Sequence, residues 1–236
     1  MIPLRDDAPR STVPFVTYFL VAMNLIVFLF EVSLPPGPRM ELVYEFGVVP
    51  SHITSLVHGV DMTGAGWLNF LPILTSMFLH ASWLHVIANM WFLWIFGDNI
   101  EDHLGHLRYF ILYLVCGIAA SGAHILFNLG SDIPSVGASG AIAGVMGAYF
   151  VLFPSARVLT LVPFFFLYLT WLPAWLILGY WFVLQFLSGA ATSITPAGQS
   201  SGGVAFWAHV GGFLTGVALI KIFPQRARRY TYANWE

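Results

Sequence analysis

Long apolar stretches separated by short polar segments dominate the chain. A helix that crosses a membrane needs about 20 mostly apolar residues. Six segments meet that requirement to within a few residues: 13–34, 80–99, 107–128, 137–153, 170–188 and 203–223. The pattern predicts an all-α polytopic membrane protein with six transmembrane helices.

One apolar stretch does not fit this scheme. No Asp, Glu, Lys or Arg occurs between Val158 and Ile220. Pro163 and Pro173 would nevertheless kink or break a continuous helix in that region. We therefore expect residues 158–169 to form an extended or interfacial lead-in to the fifth span.

Composition narrows the class of protein further. Hydrophobic residues make up 58% of the 236 residues, charged residues only 8%, and the formal net charge is −2. Soluble domains carry about 25% charged residues, and disordered chains are poor in apolar residues. Nucleic-acid binding would need a basic surface that this charge balance does not supply. The one cysteine, Cys116, cannot form an intrachain disulfide.

The distribution of basic residues predicts the orientation. With six spans, one cation, Arg39, lies on the outer side, and eight lie inside: Arg5, Arg10, Arg108, Arg157, Lys221, Arg226, Arg228 and Arg229. Loops rich in Lys and Arg stay on the cytoplasmic side. We expect cytoplasmic tails at 1–12 and 225–236, a membrane domain at 13–224, and a first outer loop at about 35–79.

Ser139 is a candidate nucleophile at the start of the fourth span. An isolated serine in a span is usually a small contact residue or an N-cap. Here the helix begins at the outer end of its span, and glycines leave the backbone N–H groups accessible. Those groups and the helix dipole favour a developing negative charge. The sequence differs from the nucleophile elbow of soluble hydrolases because residue 141 is alanine.

His209 on the sixth span is the candidate base for Ser139. A lone histidine in a span can also be a buried structural residue bonded to a backbone carbonyl. Glycines spaced by three or four residues lie on both helices, and such spacing lets two backbones approach closely. The expected packing glycines are Gly140, Gly144, Gly147, Gly212 and Gly216. If the glycines of the fourth span packed against those of the sixth, Ser139 and His209 would come together. Because no carboxylate lies near His209 in the sequence, the pattern indicates a Ser–His dyad.

His85 and Asn89 are four residues apart and therefore project from one face of the second span. As hydrogen-bond donors aimed at one point, they suit an oxyanion hole. The alternative is polar contact between helices. Asn is a poor metal ligand and no His-Glu-x-x-His motif is present, so we expect no metal and no cofactor. Glu101 and Asp102 are expected to cap or pair at the inner end of this span.

Three motifs in this order resemble the rhomboid family of intramembrane serine proteases. They are His85-x-x-x-Asn89, Gly137-x-Ser139-Gly140 and Ala208-His209-x-x-Gly212-x-x-x-Gly216. The segment Phe96-Gly97-Asp98-Asn99-Ile100-Glu101-Asp102 is similar to bacterial members. The resemblance covers residues 13–224 and implies a six-helix bundle in a bacterial inner membrane. It also implies that the active site opens to the outer side.

The resemblance also implies roles for individual residues. Ser139 would be the nucleophile and His209 the general base. His85, Asn89 and the Ser139 backbone N–H would form the oxyanion hole. The first outer loop would be half-submerged, and the fifth span with the 189–202 loop would admit a transmembrane protein substrate from the surrounding membrane lipid.

The sequence departs from the family pattern at two places. Many rhomboids carry a Trp-Arg pair in the first loop, where this chain has Leu71 and Pro72. Many also carry an aromatic residue four positions after the nucleophile, where this chain has Ala143. We therefore expect Trp207 or the glycine packing to orient His209.

Two other functions remain open at this point. A catalytically inactive rhomboid-like protein could bind client spans, but such a protein is expected to lack the serine or the histidine. A small-solute transporter often shows internal repeats and broken helices, and no repeat stands out here. The sequence carries no pattern that defines the oligomeric state.

Overall fold

The computed structural model describes residues 1–61, 63–163, 167–194 and 204–223. Within these ranges the chain forms nine α-helices and three β-strands. The helices are α1 Phe15–Ser33, α2 Pro36–Phe46, α3 Pro50–Val57, α4 Pro72–Thr75, α5 Trp83–Leu104, α6 His106–Phe127, α7 Ser139–Leu152, α8 Ala174–Ile194 and α9 Phe206–Ile222. The strands are β1 Ile2–Asp6, β2 Arg157–Pro163 and β3 Leu167–Pro173.

Six of these helices correspond to the six predicted spans: α1, α5, α6, α7, α8 and α9. By length and apolar composition, α1, α6 and α8 are each able to cross a membrane alone. Helix α5 meets the same criterion together with the segment Gly66–Phe78, from which it is bent by 78°. Helices α7 and α9 are 14 and 17 residues long. At 1.5 Å per residue they extend about 21 and 26 Å.

Helix α7 lies at the centre of the bundle, which explains its composition. Every residue from Gly140 to Tyr149 is buried. Helices α5, α6, α8 and α9 all pack against it. Small side chains dominate its sequence, SGAIAGVMGAYFVL, because a central helix must allow close approach on several sides.

The expectation of an all-α fold is wrong in one respect. Strands β1, β2 and β3 form an antiparallel three-stranded sheet. Within the predicted 158–169 lead-in, residues 158–163 thus belong to β2 and residues 167–169 to β3, and the helix of the fifth span begins at Ala174 instead of near 170. Pro163 and Pro173 exclude helix at the strand ends, and β-branched and aromatic residues between them favour strand.

The N-terminal segment 1–12 is also more ordered than a tail. It contains β1, and Trp91 Nε1 donates a hydrogen bond to the Pro3 carbonyl at 2.7 Å. The predicted C-terminal tail, 225–236, lies outside the described residues. Most of the predicted 189–202 loop also lies outside them, and its first residues, up to Ile194, belong to α8.

The first outer loop folds into short helices and is anchored without the Trp-Arg pair. Thr75 Oγ1 donates to the Phe46 carbonyl at 2.8 Å. Val48 and Ser135 exchange two backbone hydrogen bonds of 2.9 and 2.8 Å. Pro72 occupies the first turn of α4, where its missing N–H costs nothing. The loop is therefore fixed to the segment that precedes α7.

Candidate active site

Ser139 and His209 meet at the end of the bundle where α7 begins. The Oγ of Ser139 lies 2.7 Å from Nε2 of His209, a hydrogen-bond distance. His209 is buried, with 7% of its surface exposed, and Ser139 is half-buried. The residues are 70 positions apart in the sequence, so packing of α7 against α9 alone brings them together.

That packing depends on Gly147, Gly212 and Gly216, whereas a Cβ atom on Gly140 or Gly144 would first collide with Ala120 or Cys116 of α6. A Cβ atom placed on Gly212 would collide with the Gly140 carbonyl, and one on Gly216 would collide with the Gly144 carbonyl. A Cβ on Gly147 would collide with the Phe213 carbonyl. The backbones of α7 and α9 are thus in direct contact. We call this contact, made by Gly140, Gly144, Gly147, Gly212 and Gly216, the glycine seam.

His85 and Asn89 lie beside the turn that precedes Ser139. A Cβ atom on Gly137 would lie 2.7 Å from Cε1 of His85 and 3.7 Å from Nδ2 of Asn89. Gly137 has φ of +131°, a conformation that residues with a side chain rarely adopt. Glycine is therefore required here both by the backbone and by the close approach of His85.

Within the described residues, one buried side-chain donor near this turn has no hydrogen-bond partner. Asn89 is 6% exposed, and its Nδ2 makes no hydrogen bond within the described part of the chain. Ala138, the N-cap residue of α7, provides no side-chain cap. The first N–H groups of a helix have no intrahelical acceptor. The start of α7 can therefore donate to an anionic group beside Ser139.

Gln185 is a site residue that the sequence reasoning missed. Its Oε1 lies 2.7 Å from Nδ1 of His209, on the opposite side of the imidazole from Ser139. The Trp181 ring packs on the same imidazole, with centroids 5.6 Å apart. Gln185 is the one amide within the apolar run of α8, from Ala174 to Leu187. A lone polar residue in an apolar span is a functional signal that the sequence already carried.

Trp207 has a different role from the one expected. It stacks on Phe127, with ring centroids 3.8 Å apart, and its Nε1 donates to Ser193 Oγ at 3.0 Å. From α8, Trp181 and Gln185 contact the His209 ring. Residue 143 of α7 is a fully buried alanine. Helix α7 therefore supplies no aromatic ring to the imidazole at that position.

A small pocket opens beside Ser139. Its walls include Gly117, Ala120, Ser121 and His124 from α6, and Ala208 from α9. Val48, Met77 and Val136 also contribute to the apolar part of the lining, and small residues from α6 and α9 lie on one side of the space next to the serine hydroxyl.

Comparisons with known proteins identify a family and several relatives of this chain. The Rhomboid domain family model matches residues 68–226, more than half of the chain. "Rhomboid protein 1, mitochondrial" of Saccharomyces cerevisiae is 33% identical over 62% of this chain and 40% of its own length. "Presenilin-associated rhomboid-like protein A, mitochondrial" of Danio rerio is 30% identical over 72% of this chain and 42% of its own length.

The same relatives correct one expectation. The sequence analysis placed the protein in a bacterial inner membrane, but the relatives bear mitochondrial names, and these include a "RHOMBOID-like protein 6, mitochondrial" of Arabidopsis thaliana. The bacterial location is therefore wrong, and a bacterial type is not what these relatives indicate. The chain spans about two fifths of the length of the first two relatives. From the family match and the Danio rerio relative together, we conclude that the chain belongs to the rhomboid family.

Proposed function

We propose that the chain is an intramembrane serine endopeptidase in which Ser139 is the nucleophile and His209 the general base. Rhomboid proteins are in general intramembrane serine proteases. The observation that carries the proposal for this chain is the 2.7 Å contact between Ser139 Oγ and His209 Nε2. A serine hydroxyl is a weak nucleophile until a neighbouring base accepts its proton.

The first half of the reaction forms an acyl-enzyme. Ser139 Oγ attacks the carbonyl carbon of the scissile peptide bond while its proton moves to His209 Nε2. The resulting imidazolium then donates that proton to the peptide nitrogen as the C–N bond breaks. The new amino terminus leaves, and the remaining segment stays esterified to Ser139.

The second half releases the acyl group with water. His209 Nε2 accepts a proton from a water molecule, whose oxygen attacks the ester carbonyl carbon. The proton then returns to Ser139 Oγ as the ester bond breaks, which regenerates the hydroxyl and leaves a carboxyl terminus.

Both halves place negative charge on the carbonyl oxygen, which the donors around Gly137 are suited to stabilise. Asn89 Nδ2 is buried and has no hydrogen-bond partner among the described residues, and His85 lies beside it. The N–H of Ser139 opens an uncapped helix whose dipole favours an anion. Such preorganised donors act strongly where water is excluded.

We further propose that the bundle spans the membrane with six helices over residues 13–224, with both termini on the inner side. Arg10 and Arg157, which pair with Asp98 and Asp7, then lie on that inner side. Helix α7 is about 9 Å shorter than the hydrocarbon core of about 30 Å. Its Ser139 end therefore lies below the outer surface, within reach of water from that side.

The substrates we propose are single-span proteins with small or helix-breaking residues near the outer surface. In a helix the scissile carbonyl is hydrogen-bonded to a later N–H and shielded from attack, so the segment must unwind. The small residues of α6 and α9 on one side of the pocket beside Ser139 favour a small residue at the cleavage position.

Cleavage in liposomes tests the proposal. The purified chain is reconstituted with a single-span protein whose outer juxtamembrane segment contains Ala and Gly, and fragments are identified by mass spectrometry. We expect Ser139→Ala and His209→Ala each to abolish cleavage with normal membrane insertion. The double variant should be no worse than either single one, because the residues act as a unit. Substantial cleavage by Ser139→Ala would refute the assignment of the nucleophile, and an inert wild type would favour a binding protein.

A further inference from the structure

Resting on the proposed function, we propose that Gln185 is a positioning residue that holds His209 in its catalytic tautomer and ties the base to the position of α8. The Oε1 of Gln185 lies 2.7 Å from His209 Nδ1, while Nε2 faces Ser139 Oγ at the same distance. The three side chains form one hydrogen-bonded chain across α8, α9 and α7.

The chemistry of imidazole makes this chain directional. To accept the Ser139 proton, Nε2 must be unprotonated, so in the neutral ring the hydrogen must reside on Nδ1. A hydrogen on Nδ1 in a buried site needs an acceptor. Within the described residues, the acceptor at hydrogen-bond distance is Gln185 Oε1. The amide therefore selects the tautomer that the reaction requires.

The same contact supports the charged state of the ring. Once His209 has taken the Ser139 proton, both ring nitrogens donate, and the amide oxygen receives the hydrogen bond from an imidazolium. Hydrogen bonds that involve a charged partner are stronger than neutral ones. Gln185 thus occupies the place that an aspartate has in a Ser-His-Asp triad, without adding a charge to the buried site.

Helix α8 contacts α9 through side chains, whereas α7 and α9 are in backbone contact. In the glycine seam the backbones of α7 and α9 touch, so the distance between Ser139 and His209 is fixed by the main chain. Helix α8 packs on α9 through aromatic rings, such as Phe182 on Phe213 at 4.7 Å and Phe186 on Trp207 at 5.9 Å. Flexible side chains therefore separate α8 from α9.

Two residues of α8 contact the His209 ring, and both lie on one face because they are four positions apart. Trp181 packs on the ring and Gln185 accepts from it. A displacement of α8 would remove both contacts and leave the glycine seam intact. The base would then lose its orientation while the serine and histidine stayed near one another. The position of α8 therefore controls whether the dyad is competent.

The test uses full-length protein in detergent micelles and follows two rates. One is fluorophosphonate labelling of Ser139, and the other is cleavage of the same single-span substrate dissolved in those micelles. The variants are Gln185→Leu, which has a similar size but no acceptor, and Gln185→Glu, which keeps an acceptor oxygen. Leu184→Ala is the matched control, since Leu184 is the preceding residue of α8 and is 42% exposed.

We expect Gln185→Leu to lower both the labelling rate and kcat by about 10- to 100-fold with little change in KM. Gln185→Glu should retain the rate to within about threefold, since the acceptor remains. Leu184→Ala should behave as wild type. In a His209→Ala background, Gln185→Leu should not slow the residual fluorophosphonate labelling further, because the residue acts through the histidine.

Three results would overturn the inference. A fully active Gln185→Leu would show that the amide is dispensable. A faster Gln185→Leu would mean that the amide nitrogen faces Nδ1 and holds the wrong tautomer. An undiminished loss in the His209→Ala background would mean that Gln185 acts through packing. Labelling that persists in Ser139→Ala would instead refute the proposed function, so the two failures are distinguishable.

Discussion

Polar side chains at the two ends of the α5 and α7 pair differ in how they are hydrogen-bonded. At the far end, which contains the C-terminal turns of both helices, the carboxylates are fully engaged. Glu101 accepts hydrogen bonds from the backbone N–H groups of Val16 and Thr17 at 2.8 Å each, and from the Thr17 hydroxyl. His106 also pairs with it at 2.6 Å. Asp102 accepts from Ser11 and Thr12, as capping or pairing at this end predicted.

At the site end, which contains Ser139, His85 and Asn89, the donors are left open. In the part of the chain that the structure describes, Asn89 Nδ2 is buried without a partner, and α7 begins without a side-chain cap. An unsatisfied buried polar group costs about 1–3 kcal/mol. The carboxylates Glu101 and Asp102 stabilise the far end through their hydrogen bonds, whereas Asn89 Nδ2 at the site end stays available as a donor. Unsatisfied donors of this kind are expected where function needs them.

The largest loss of cleavage is expected from a substitution in the glycine seam, which holds His209 beside Ser139 at the site end. A leucine at Gly212 would collide with the Gly140 carbonyl, which is backbone and cannot rotate away. We expect Gly212→Leu to separate α7 from α9 and reduce cleavage by at least about 100-fold, since even about 1 Å of misplacement has that cost. Overpacking should also lower the free energy of unfolding by about 1–3 kcal/mol, measurable as a lower Tm.

Gly122→Leu provides the matched control for this change. Gly122 lies on α6, and a Cβ atom there would have nothing within 4 Å. The same substitution should leave cleavage and Tm close to wild type. If Gly212→Leu kept normal turnover, the seam would not be what positions His209 against Ser139.

Asn89→Ala separates activity from stability at the site end. Loss of one oxyanion donor typically costs about 10²–10³ in kcat, although the backbone N–H of Ser139 and His85 can compensate in part. The substitution also removes a buried donor that has no partner, so Tm should stay the same or rise. His85→Ala should be at least as damaging to cleavage. If both variants kept the full cleavage rate, His85 and Asn89 would be packing residues of α5 and not oxyanion donors.

The smallest expected effect is the change in stability caused by Asp6→Asn at the far end. Asp6 Oδ2 accepts hydrogen bonds from Tyr149 at 2.5 Å and Asn99 at 2.9 Å. Burial raises the pKa of the Asp6 carboxyl from 3.8 to about 6, and the charge of Asp98 adds to that shift. Between these two pH values the folded protein binds more protons than the unfolded chain, so the carboxylate lowers stability as pH rises through the interval.

The asparagine keeps an acceptor oxygen and removes the buried charge. We expect Asp6→Asn to be more stable than wild type by about 1 kcal/mol at pH 8, a figure reduced for partial exposure of the group. The difference should disappear below pH 4, where both forms are neutral. Thermal unfolding at pH 4 and pH 8 measures this, and cleavage should be unchanged. A variant that was less stable at pH 8 would show that the charge itself is favourable.

The sequence was sufficient to locate the six long apolar helices and to propose that Ser139 contacts His209. Each of the six predicted spans contains a helix whose ends lie within a few residues of the prediction, because apolar length is a local property. The pairing of Ser139 with His209 followed from glycine spacing, which records where two backbones approach. Their catalytic roles remain predictions until activity is measured.

The features that the sequence analysis did not predict depend on contacts between distant residues. The sheet pairs β1 with β2 across about 150 residues, and nothing local marks Ile2–Asp6 as a strand partner. Gln185 meets His209 only because of how α8 packs. Periodicity records which face of a helix is apolar, but it does not record which neighbour a polar side chain reaches.

The most direct measurement is the reaction of the purified chain with a fluorophosphonate, followed by mass spectrometry of the labelled peptide. Phosphonylation requires a serine activated by its base, and it needs no substrate protein. The account predicts labelling at Ser139 alone, at least about 10³-fold slower in His209→Ala. Labelling at another serine, or an equal rate in His209→Ala, would contradict the Ser139–His209 dyad.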